Sequence, residues 1–102
     1  MVRMTLYMKV KPGREADFER AWRAVAEKVR LLPGNLRQAL LRDWQNPSSF
    51  VLTSDWESRE TFHRFERSPE QDALTAPLRE LRESARMTVH DVLVHLEGGT
   101  RS

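Results

Sequence analysis

With 102 residues, the chain is long enough for one domain with a modest core and too short for two. Its 17 basic and 15 acidic residues are interleaved, as in Arg14-Glu15 and Glu19-Arg20, so the net charge of +2 indicates solvated faces and excludes a basic stripe for nucleic acid. The sequence has no cysteine, no signal-peptide pattern and no long apolar run, which excludes disulfide and thiolate chemistry and predicts a soluble cytoplasmic protein without a membrane partner.

The first half of the chain predicts a strand, a helix and a second strand. Residues 3–10 alternate between apolar and polar side chains, which is typical of a strand with one buried face. Pro12-Gly13 ends this strand, and apolar residues at helical spacing predict a helix over 14–31. The apolar stripe of this helix consists of Phe18, Trp22, Val25 and Val29. Leu32-Pro33-Gly34 ends the helix, because proline cannot continue it and glycine supplies the turn into a strand over 35–44.

A third strand and two capped helices follow in the second half. The turn signal at Asn46-Pro47-Ser48 predicts an antiparallel hairpin between strand two and a strand over 49–56. Ser58 is a favourable N-cap residue for a short helix. Ser68-Pro69 predicts the start of another helix, since a capping serine stands before a proline at the first helical position.

The last quarter of the chain predicts the end of that helix and a fourth strand. The helix is expected to run to about residue 85, with Pro77 breaking or restarting it. Alternation resumes over 87–96 and predicts strand four. The glycine-rich segment 98–102 is expected to be a disordered tail, so the domain comprises residues 1–97.

The element order β-α-β-β-α-β predicts an α+β fold, the ferredoxin-like plait, in which helices cover one face of an antiparallel sheet. Strands two and four carry apolar residues on both faces, and these are Leu40, Leu41, Val92, Leu93 and Val94. The side chains on one face belong to the core, and those on the other face would remain exposed to solvent in a monomer. We therefore expect two chains to associate sheet on sheet as a homodimeric α/β barrel.

Four motifs in this order resemble the antibiotic biosynthesis monooxygenase (ABM) superfamily. They are Pro12-Gly13, Pro33-Gly34, the run Trp-Glu-Ser-x-Glu-x-Phe over 56–62, and Ser68-Pro69. The resemblance extends over about residues 3–96 and implies a homodimer with a pocket in each subunit, between the sheet and the helices. Members of the superfamily include cofactor-independent oxygenases of anthrones and quinols, haem-degrading enzymes, an isomerase-type member and proteins of no known activity.

The haem-degrading members have an asparagine in strand one, a tryptophan in the short helix and an iron-ligating histidine about ten residues later. The corresponding positions in this sequence are Leu6, Phe65, and Leu74 or Thr75. An iron site without its imidazole has no obvious protein ligand. The resemblance therefore implies an activity without haem and without any other cofactor.

The anthrone-oxygenase members match this sequence better. Their tryptophan at the end of strand three corresponds to Trp56, while Leu52 and Phe62 replace an asparagine four residues earlier and a tyrosine six residues later. The resemblance implies a cofactor-independent monooxygenase that acts with molecular oxygen on a small planar aromatic substrate, an anthrone or hydroquinone of polyketide type. The two replacements indicate a drier and more aromatic pocket.

Oxygenation without metal or flavin requires a substrate that becomes an electron-rich carbanion or phenolate in an apolar slot. Trp56 is the candidate to stack on such a substrate or to donate its indole N–H to an oxyanion, although a core tryptophan beneath helix two would show the same pattern. His63 is the candidate catalytic base, and its position about 100° from Phe62 around the helix allows a place at the rim or in solvent. The expected pocket walls are Leu6, Leu52, Phe62, Phe65 and Leu74.

Other titratable side chains carry weaker functional signals. His90 and His95 are predicted on opposite faces of strand four, so they cannot bind one ion from one strand face, and no metal site is expected. Three scattered carboxylates are expected at the surface or the dimer rim, and these are Asp43, Asp55 and Asp91. Three arginines form either a solvated face or a site for an acidic or phenolate group at the pocket mouth, and these are Arg79, Arg82 and Arg86.

Two other functions remain open from the sequence. The same pocket would also suit cyclisation or isomerisation of a polyketide without oxygen, and the fold would also suit a non-catalytic binding or assembly module. Oxygen uptake separates the first alternative from a monooxygenase. A rise in melting temperature with ligand separates both enzymes from the module, because binding to the native state stabilises it.

Overall fold

The computed structural model describes residues 1–99 and comprises a four-stranded antiparallel sheet and three helices. The elements in chain order are β1 (Val2–Val10), α1 (Glu15–Val29), β2 (Asn35–Arg42), β3 (Ser49–Trp56), α2 (Arg59–Glu66), α3 (Pro69–Leu81) and β4 (Arg82–Asp91). This arrangement is an α+β ferredoxin-like fold and confirms the fold class predicted from the sequence. Within the described residues, no helix has the length and hydropathy needed to cross a membrane.

The sheet has the strand order β2-β3-β1-β4, so β1 and β3 are its inner strands. β1 is antiparallel to β3, with Leu6 opposite Leu52, and antiparallel to β4, with Leu6 opposite Met87. Because paired residues share a face, these three side chains lie together on the side that the helices cover. The predicted hairpin between β2 and β3 is also present, with Leu40 opposite Leu52.

The core lies between the even-numbered face of β1 and β3 and the apolar sides of the helices. Val10, Phe18 and Trp56 are almost completely buried, and the rings of Phe18 and Phe50 lie 5.4 Å apart in a tilted arrangement. Full burial of one such side chain stabilises the fold by roughly 1.5–3 kcal/mol. This packing fixes α1 and α2 over the sheet and leaves space between them nearer to α3.

The two predicted serine caps set the entry to α2 and α3. Ser58 accepts a hydrogen bond from Thr61 N at 3.2 Å, and Thr61 Oγ1 accepts one from Ser58 N at 3.2 Å, which completes a capping box. Ser68 accepts a hydrogen bond from Gln71 N at 3.2 Å, with Pro69 in the first turn. Both caps confirm the interpretation of the sequence.

Gly34 fixes the turn that supports the β3–α2 junction. Its φ is +88°, in the left-handed region that favours glycine, and a Cβ at this position would overlap the Thr61 side chain. Gly34 O accepts a hydrogen bond from Glu57 N at 2.8 Å. The turn after α1 and the start of α2 are therefore held together, directly beside Trp56.

The end of α3 and the extent of strand four differ from the sequence prediction. α3 continues through Pro77 without a break but ends at Leu81, and β4 begins at Arg82 and ends at Asp91, rather than spanning 87–96. Lys11 N donates to Leu81 O at 2.9 Å, which ties the end of the helix to the end of β1. The prediction was wrong because β4 is an edge strand whose first residues are polar, whereas the apolar alternation that suggested a strand continues beyond it.

The chain beyond β4 has no regular secondary structure as far as residue 99. Val92 N donates to Met1 O at 2.9 Å, and the next apolar side chains are exposed: Leu93 by 89%, Val94 by 75% and Leu96 by 86%. They therefore do not supply the second apolar face of strand four that the sequence suggested. The predicted tail begins at Gly98, and its last three residues lie outside the described part of the chain.

Asp55 is buried, and not at the surface as the sequence suggested. Its side chain is 1% exposed, because Arg3 on β1 and Arg37 on β2 lie opposite it in register and cover it. Arg3 Nε donates to Oδ1 and Arg37 Nη1 donates to Oδ2, both at 2.7 Å. The hydrogen bond from Arg3, followed by that from Arg37, lowers the pKa of Asp55, although burial alone would raise it. Asp43 and Asp91 are exposed, as expected.

Candidate active site

A cavity of about 280 Å³ lies between the helix-covered face of the sheet and the three helices. Its walls are mainly apolar and come from all four strands and all three helices. The apolar lining residues are Met4, Leu6, Trp22, Val25, Val29, Leu52, Phe62, Phe65, Leu78 and Met87. A mainly apolar recess with a few polar groups is typical of a small-molecule site.

Four of the five wall residues expected from the sequence line this cavity. They are Leu6, Leu52, Phe62 and Phe65. The register of β1 and β3 brings the two leucines together, and the i, i+3 spacing on α2 brings the two phenylalanines onto one face. The fifth, Leu74, is partly buried against the core and does not border the cavity.

Trp56 lies behind the cavity wall. It is 1% exposed, its ring stacks on Phe65 with centroids 5.0 Å apart and planes 23° apart, and it meets Phe62 edge-on at 6.2 Å. Its Nε1 is buried and has no hydrogen-bond acceptor within residues 1–99. Leaving such a donor unsatisfied costs about 1–3 kcal/mol. The indole therefore supports both phenylalanines of the wall and carries a buried N–H that residues 1–99 leave without an acceptor.

His63 lies outside the main cavity. Its side chain is 49% exposed, and it lines a second, more open depression together with Arg59, His90 and Asp91. Phe62 and Glu66 border both spaces. His63 Nδ1 lies 3.3 Å from Glu66 Oε1, so the histidine reaches the cavity only through this carboxylate.

The polar side chains of the cavity are mostly engaged with the protein. Ser54 Oγ, on the same face of β3 as Leu52, accepts from Asn35 Nδ2 at 3.2 Å, and Gln38 Nε2 donates to Ala26 O at 3.1 Å. Ser54 was not predicted as a site residue, although its alternation with Leu52 and Trp56 in the sequence places it on that face.

Thr75 and two arginines, Arg79 and Arg82, form a basic end of the cavity. Thr75 Oγ1 donates to Gln71 O at 2.8 Å and accepts from Arg79 Nη1 at 2.7 Å. Arg82 is half-buried, and burial, followed by the charge of Arg79, lowers the pKa of its guanidinium. Two arginines thus stand at one end of a mainly apolar space, and Arg79 Nη1 also lies 3.8 Å from Asp72 Oδ1.

The histidine and carboxylate side chains of the described residues do not cluster into a metal site. Across the described range 1–99, no group of three or more His, Cys, Asp or Glu side chains is arranged to hold a metal ion. His90 lies on β4, opposite Arg3, whereas His95 lies beyond the end of that strand. The two histidines are therefore not on one strand, which differs from the sequence prediction.

The chain belongs to the antibiotic biosynthesis monooxygenase family, because the model of that family matches residues 1–77. Two curated Streptomyces proteins are also similar to it. Protein SchA of Streptomyces halstedii is 29% identical over 77 residues, which is 76% of this chain and 20% of that protein. The 42.8 kDa protein in the whiE locus of Streptomyces coelicolor is 29% identical over 98 residues, which is 96% of this chain and 25% of that protein. The chain thus spans only a fifth to a quarter of these relatives.

Solved structures share the fold over nearly the whole chain. SnoaB, a cofactor-independent oxygenase from Streptomyces nogalater, superimposes with a TM-score of 0.84 at 24% identity, covering 95% of this chain and 97% of SnoaB. A conserved protein from Methanosarcina mazei superimposes with a TM-score of 0.79 at 16% identity, covering 87% of this chain and 89% of that protein. At these identities the similarity establishes the fold alone.

Proposed function

We propose that this chain is a cofactor-independent monooxygenase that oxidises a planar aromatic anthrone or hydroquinone of polyketide type. The apolar cavity walled by Phe62 and Phe65 is the observation that carries the proposal, because a flat ring system packs against such a wall and is shielded from water there. Family membership and the fold shared with SnoaB, itself described as a cofactor-independent oxygenase, support the same reaction class.

The chemistry needs little from the protein beyond binding and ionisation. An anthrone loses a proton to give a carbanion, which transfers one electron to O₂ and recombines with the reduced oxygen to form a peroxide anion, and this anion takes a proton from solvent to become a hydroperoxide. Loss of water from the hydroperoxide gives the quinone, so one oxygen atom enters the product and the other leaves as water. A mainly apolar cavity with a buried donor for the anionic oxygen favours the first step.

In this proposal Trp56 supplies that donor. Its Nε1–H is buried without an acceptor in the described chain, next to the half-buried Phe65 on which the indole stacks. A substrate oxygen that reaches the indole N–H as Phe65 moves aside satisfies the donor. Charge that develops on the oxygen during deprotonation strengthens this hydrogen bond.

Glu66 and His63 provide the proton route in the same proposal. Glu66 borders the cavity, and its carboxylate lies 3.3 Å from the ring of the exposed His63. A proton taken from the substrate by Glu66 passes to His63 and then to solvent. This gives the histidine the role of a relay outside the cavity rather than that of a base in contact with the substrate.

We expect His63→Ala to lower kcat by roughly tenfold, less than a direct general base contributes, because Glu66 remains in place. Oxygen uptake measures this rate, and imidazole in the buffer should restore part of it, since the site is exposed. Arg64→Ala, at a neighbouring exposed position on α2, is the matched control and should retain full activity. Unchanged uptake by His63→Ala would remove the relay from the mechanism.

Oxygen consumption by the purified chain with a panel of anthrones and hydroquinones tests the proposed function. Uptake above the spontaneous rate, with one O₂ consumed per anthrone, is the expected result. No uptake, together with a higher melting temperature in the presence of these compounds, would favour cyclisation or isomerisation in the same cavity. If neither is seen, an assembly role is favoured.

We also propose that the working unit is a homodimer. Leu93, Val94 and Leu96 are exposed directly after β4, and burial of one such side chain contributes roughly 1.5–3 kcal/mol. Tyr7 and Leu41, on the sheet face opposite the helices, are also partly exposed. A second copy that packed against both this face and the segment after β4 would cover both sets.

Sedimentation velocity at low micromolar concentration should show a dimer, and the double variant Leu93→Glu with Leu96→Glu should sediment as a monomer, because two charges cannot be buried unpaired. The matched control is Leu31→Glu, which changes an exposed leucine after α1 and should leave the dimer intact. A monomeric parent chain would contradict this part of the proposal.

A further inference from the structure

Two polar side chains lie next to each other in the apolar wall of the main cavity. Ser54 on β3 and Gln38 on β2 are directly opposite in the sheet register, and both border the cavity. Side chains that are opposite on neighbouring antiparallel strands have Cβ atoms about 4.5–5.5 Å apart. Ser54 is only 3% exposed and lies between Leu52 and Trp56 on one face of β3. The two residues therefore form a small polar patch in mainly apolar surroundings.

Ser54 retains an unused hydrogen-bond donor. Its Oγ accepts from Asn35 Nδ2 at 3.2 Å, but within residues 1–99 the hydroxyl donates to no acceptor. A serine hydroxyl carries one proton to donate in addition to its capacity to accept. Because the side chain is buried, an unpaired proton is unfavourable there, and an acceptor on a molecule in the cavity would satisfy it.

Gln38 retains the complementary capacity. Its Nε2 donates to Ala26 O on α1 at 3.1 Å, whereas no donor in the described part of the chain bonds to its Oε1. The bond to Ala26 fixes the side-chain amide and leaves Oε1 as a free acceptor. Gln38 also borders an open groove between α1 and β2, so it lies at the rim of the cavity, while Ser54 is buried. A donor and an acceptor thus stand side by side on adjacent strands.

We propose that Ser54 and Gln38 together bind one hydroxyl group on the aromatic ring system of the substrate. The hydroxyl oxygen accepts from Ser54 Oγ–H, and the hydroxyl proton is donated to Gln38 Oε1, so one group satisfies both residues. A carbonyl oxygen would use the serine alone. This inference rests on the proposed function and narrows its substrate to a hydroxylated ring system that lies with the hydroxyl toward β2. The two residues determine specificity and take no part in removing the substrate proton.

Three product-like quinones that differ at one position test the proposal without turnover. In 2-hydroxyanthraquinone the substituent donates and accepts, in 2-aminoanthraquinone a substituent of similar size donates but barely accepts, and anthraquinone lacks a substituent there. Quenching of tryptophan fluorescence reports binding, because Trp22 borders the cavity. In a slightly acidic buffer that keeps the phenol protonated, the parent chain should bind the hydroxyquinone roughly 10-fold more tightly than the amine. The amine should in turn bind roughly 10-fold more tightly than anthraquinone.

Variants assign each preference to one residue. Ser54→Ala should abolish the discrimination between hydroxyquinone and amine, and Gln38→Met should abolish the advantage of the amine over anthraquinone. Ala26 O keeps its bond from Arg30 N at 2.9 Å, so Gln38→Met leaves no helix carbonyl unpaired. Asn35→Ala is the control, because it removes the same internal hydrogen bond as Ser54→Ala at a residue that does not border the main cavity, and it should keep both preferences.

Equal binding of hydroxyquinone and amine by the parent chain would overturn the assignment. Loss of both preferences in Asn35→Ala would overturn it too, since the effect would then arise from the Ser54–Asn35 bond and not from contact with the ligand. Oxygen uptake with an anthrone that carries no phenolic hydroxyl would in either case still support the oxygenase, so the two failures are distinguishable. If no quinone binds, both the hydroxyl site and the aromatic cavity are rejected.

Discussion

Trp56→Phe is expected to lower kcat for oxygen uptake by roughly 10²-fold while the protein remains folded. The substitution removes the indole N–H, the donor proposed for the anionic oxygen, but retains an aromatic ring behind Phe65. Stability should change little, because two effects oppose each other. Eliminating a buried unsatisfied donor gains about 1–3 kcal/mol, and the smaller ring loses a similar amount of packing.

Oxygen electrode assays and thermal unfolding of the same preparations separate catalysis from folding. Trp44→Phe provides the matched control, since Trp44 is fully exposed in the β2–β3 turn and should affect neither quantity. If Trp56→Phe retains full activity, the indole only supports the wall and the donor must be sought elsewhere. A large loss of stability would likewise assign Trp56 to the core, the alternative that its sequence pattern left open.

The elements that the sequence predicted well are those specified by local chemistry. A serine at the N-cap satisfies free backbone N–H groups whatever the rest of the chain does, which is why Ser58 and Ser68 marked the starts of α2 and α3 correctly. The turn at Gly34 is equally local, because only glycine adopts its φ of +88° at little cost. From these markers and the alternation of β1 and β3, the order of elements followed.

The errors occurred where a residue's environment is set by distant partners. Strand four was displaced because the polar first residues of an edge strand give no alternation, and pairing with β1 is what defines its start at Arg82. Asp55 was expected at the surface because the alternation of its own strand places it on the face opposite Trp56. The strand by itself does not show which side chains cover that face. Its burial results from Arg3 and Arg37, which the sheet register brings from 52 and 18 residues away.

The candidate site shows the same division. Alternation on β1 and β3 and the spacing on α2 placed Leu6, Leu52, Phe62 and Phe65 on the buried faces, and the family resemblance implied a pocket there, where the cavity lies. Spacing in the sequence cannot show how deeply a side chain is buried, so it did not reveal that Trp56 lies behind the two phenylalanines of the cavity wall. The position of Arg82 at the cavity could not be inferred either, because it depends on where α3 ends and β4 begins.

Removal of the Asp55 carboxylate charge is expected to cause the largest loss of stability. In Asp55→Asn the two arginines lose charge-assisted hydrogen bonds at 2.7 Å and face each other across the strand. Each such bond contributes about 1.5–3 kcal/mol, but Arg3 and Arg37 are 39% and 50% exposed, so solvent weakens both. We expect the free energy of unfolding in urea to fall by about 2 kcal/mol. Glu80→Gln, which removes an exposed carboxylate on α3, should change it by less than about 0.5 kcal/mol.

The same carboxylate predicts a pH dependence with a definite sign. The arginines hold the pKa of Asp55 in the folded chain below its value in the unfolded chain, so the unfolded state binds a proton first as the pH falls. The stabilisation is therefore complete above the unfolded pKa of about 3.9 and is lost as the pH falls through the folded value. Urea unfolding of the parent chain and Asp55→Asn should differ most near neutral pH, and the difference should shrink as the pH falls below about 4 toward the lowered pKa of Asp55. A difference that stayed constant across this range would show that Asp55 acts by packing rather than by charge.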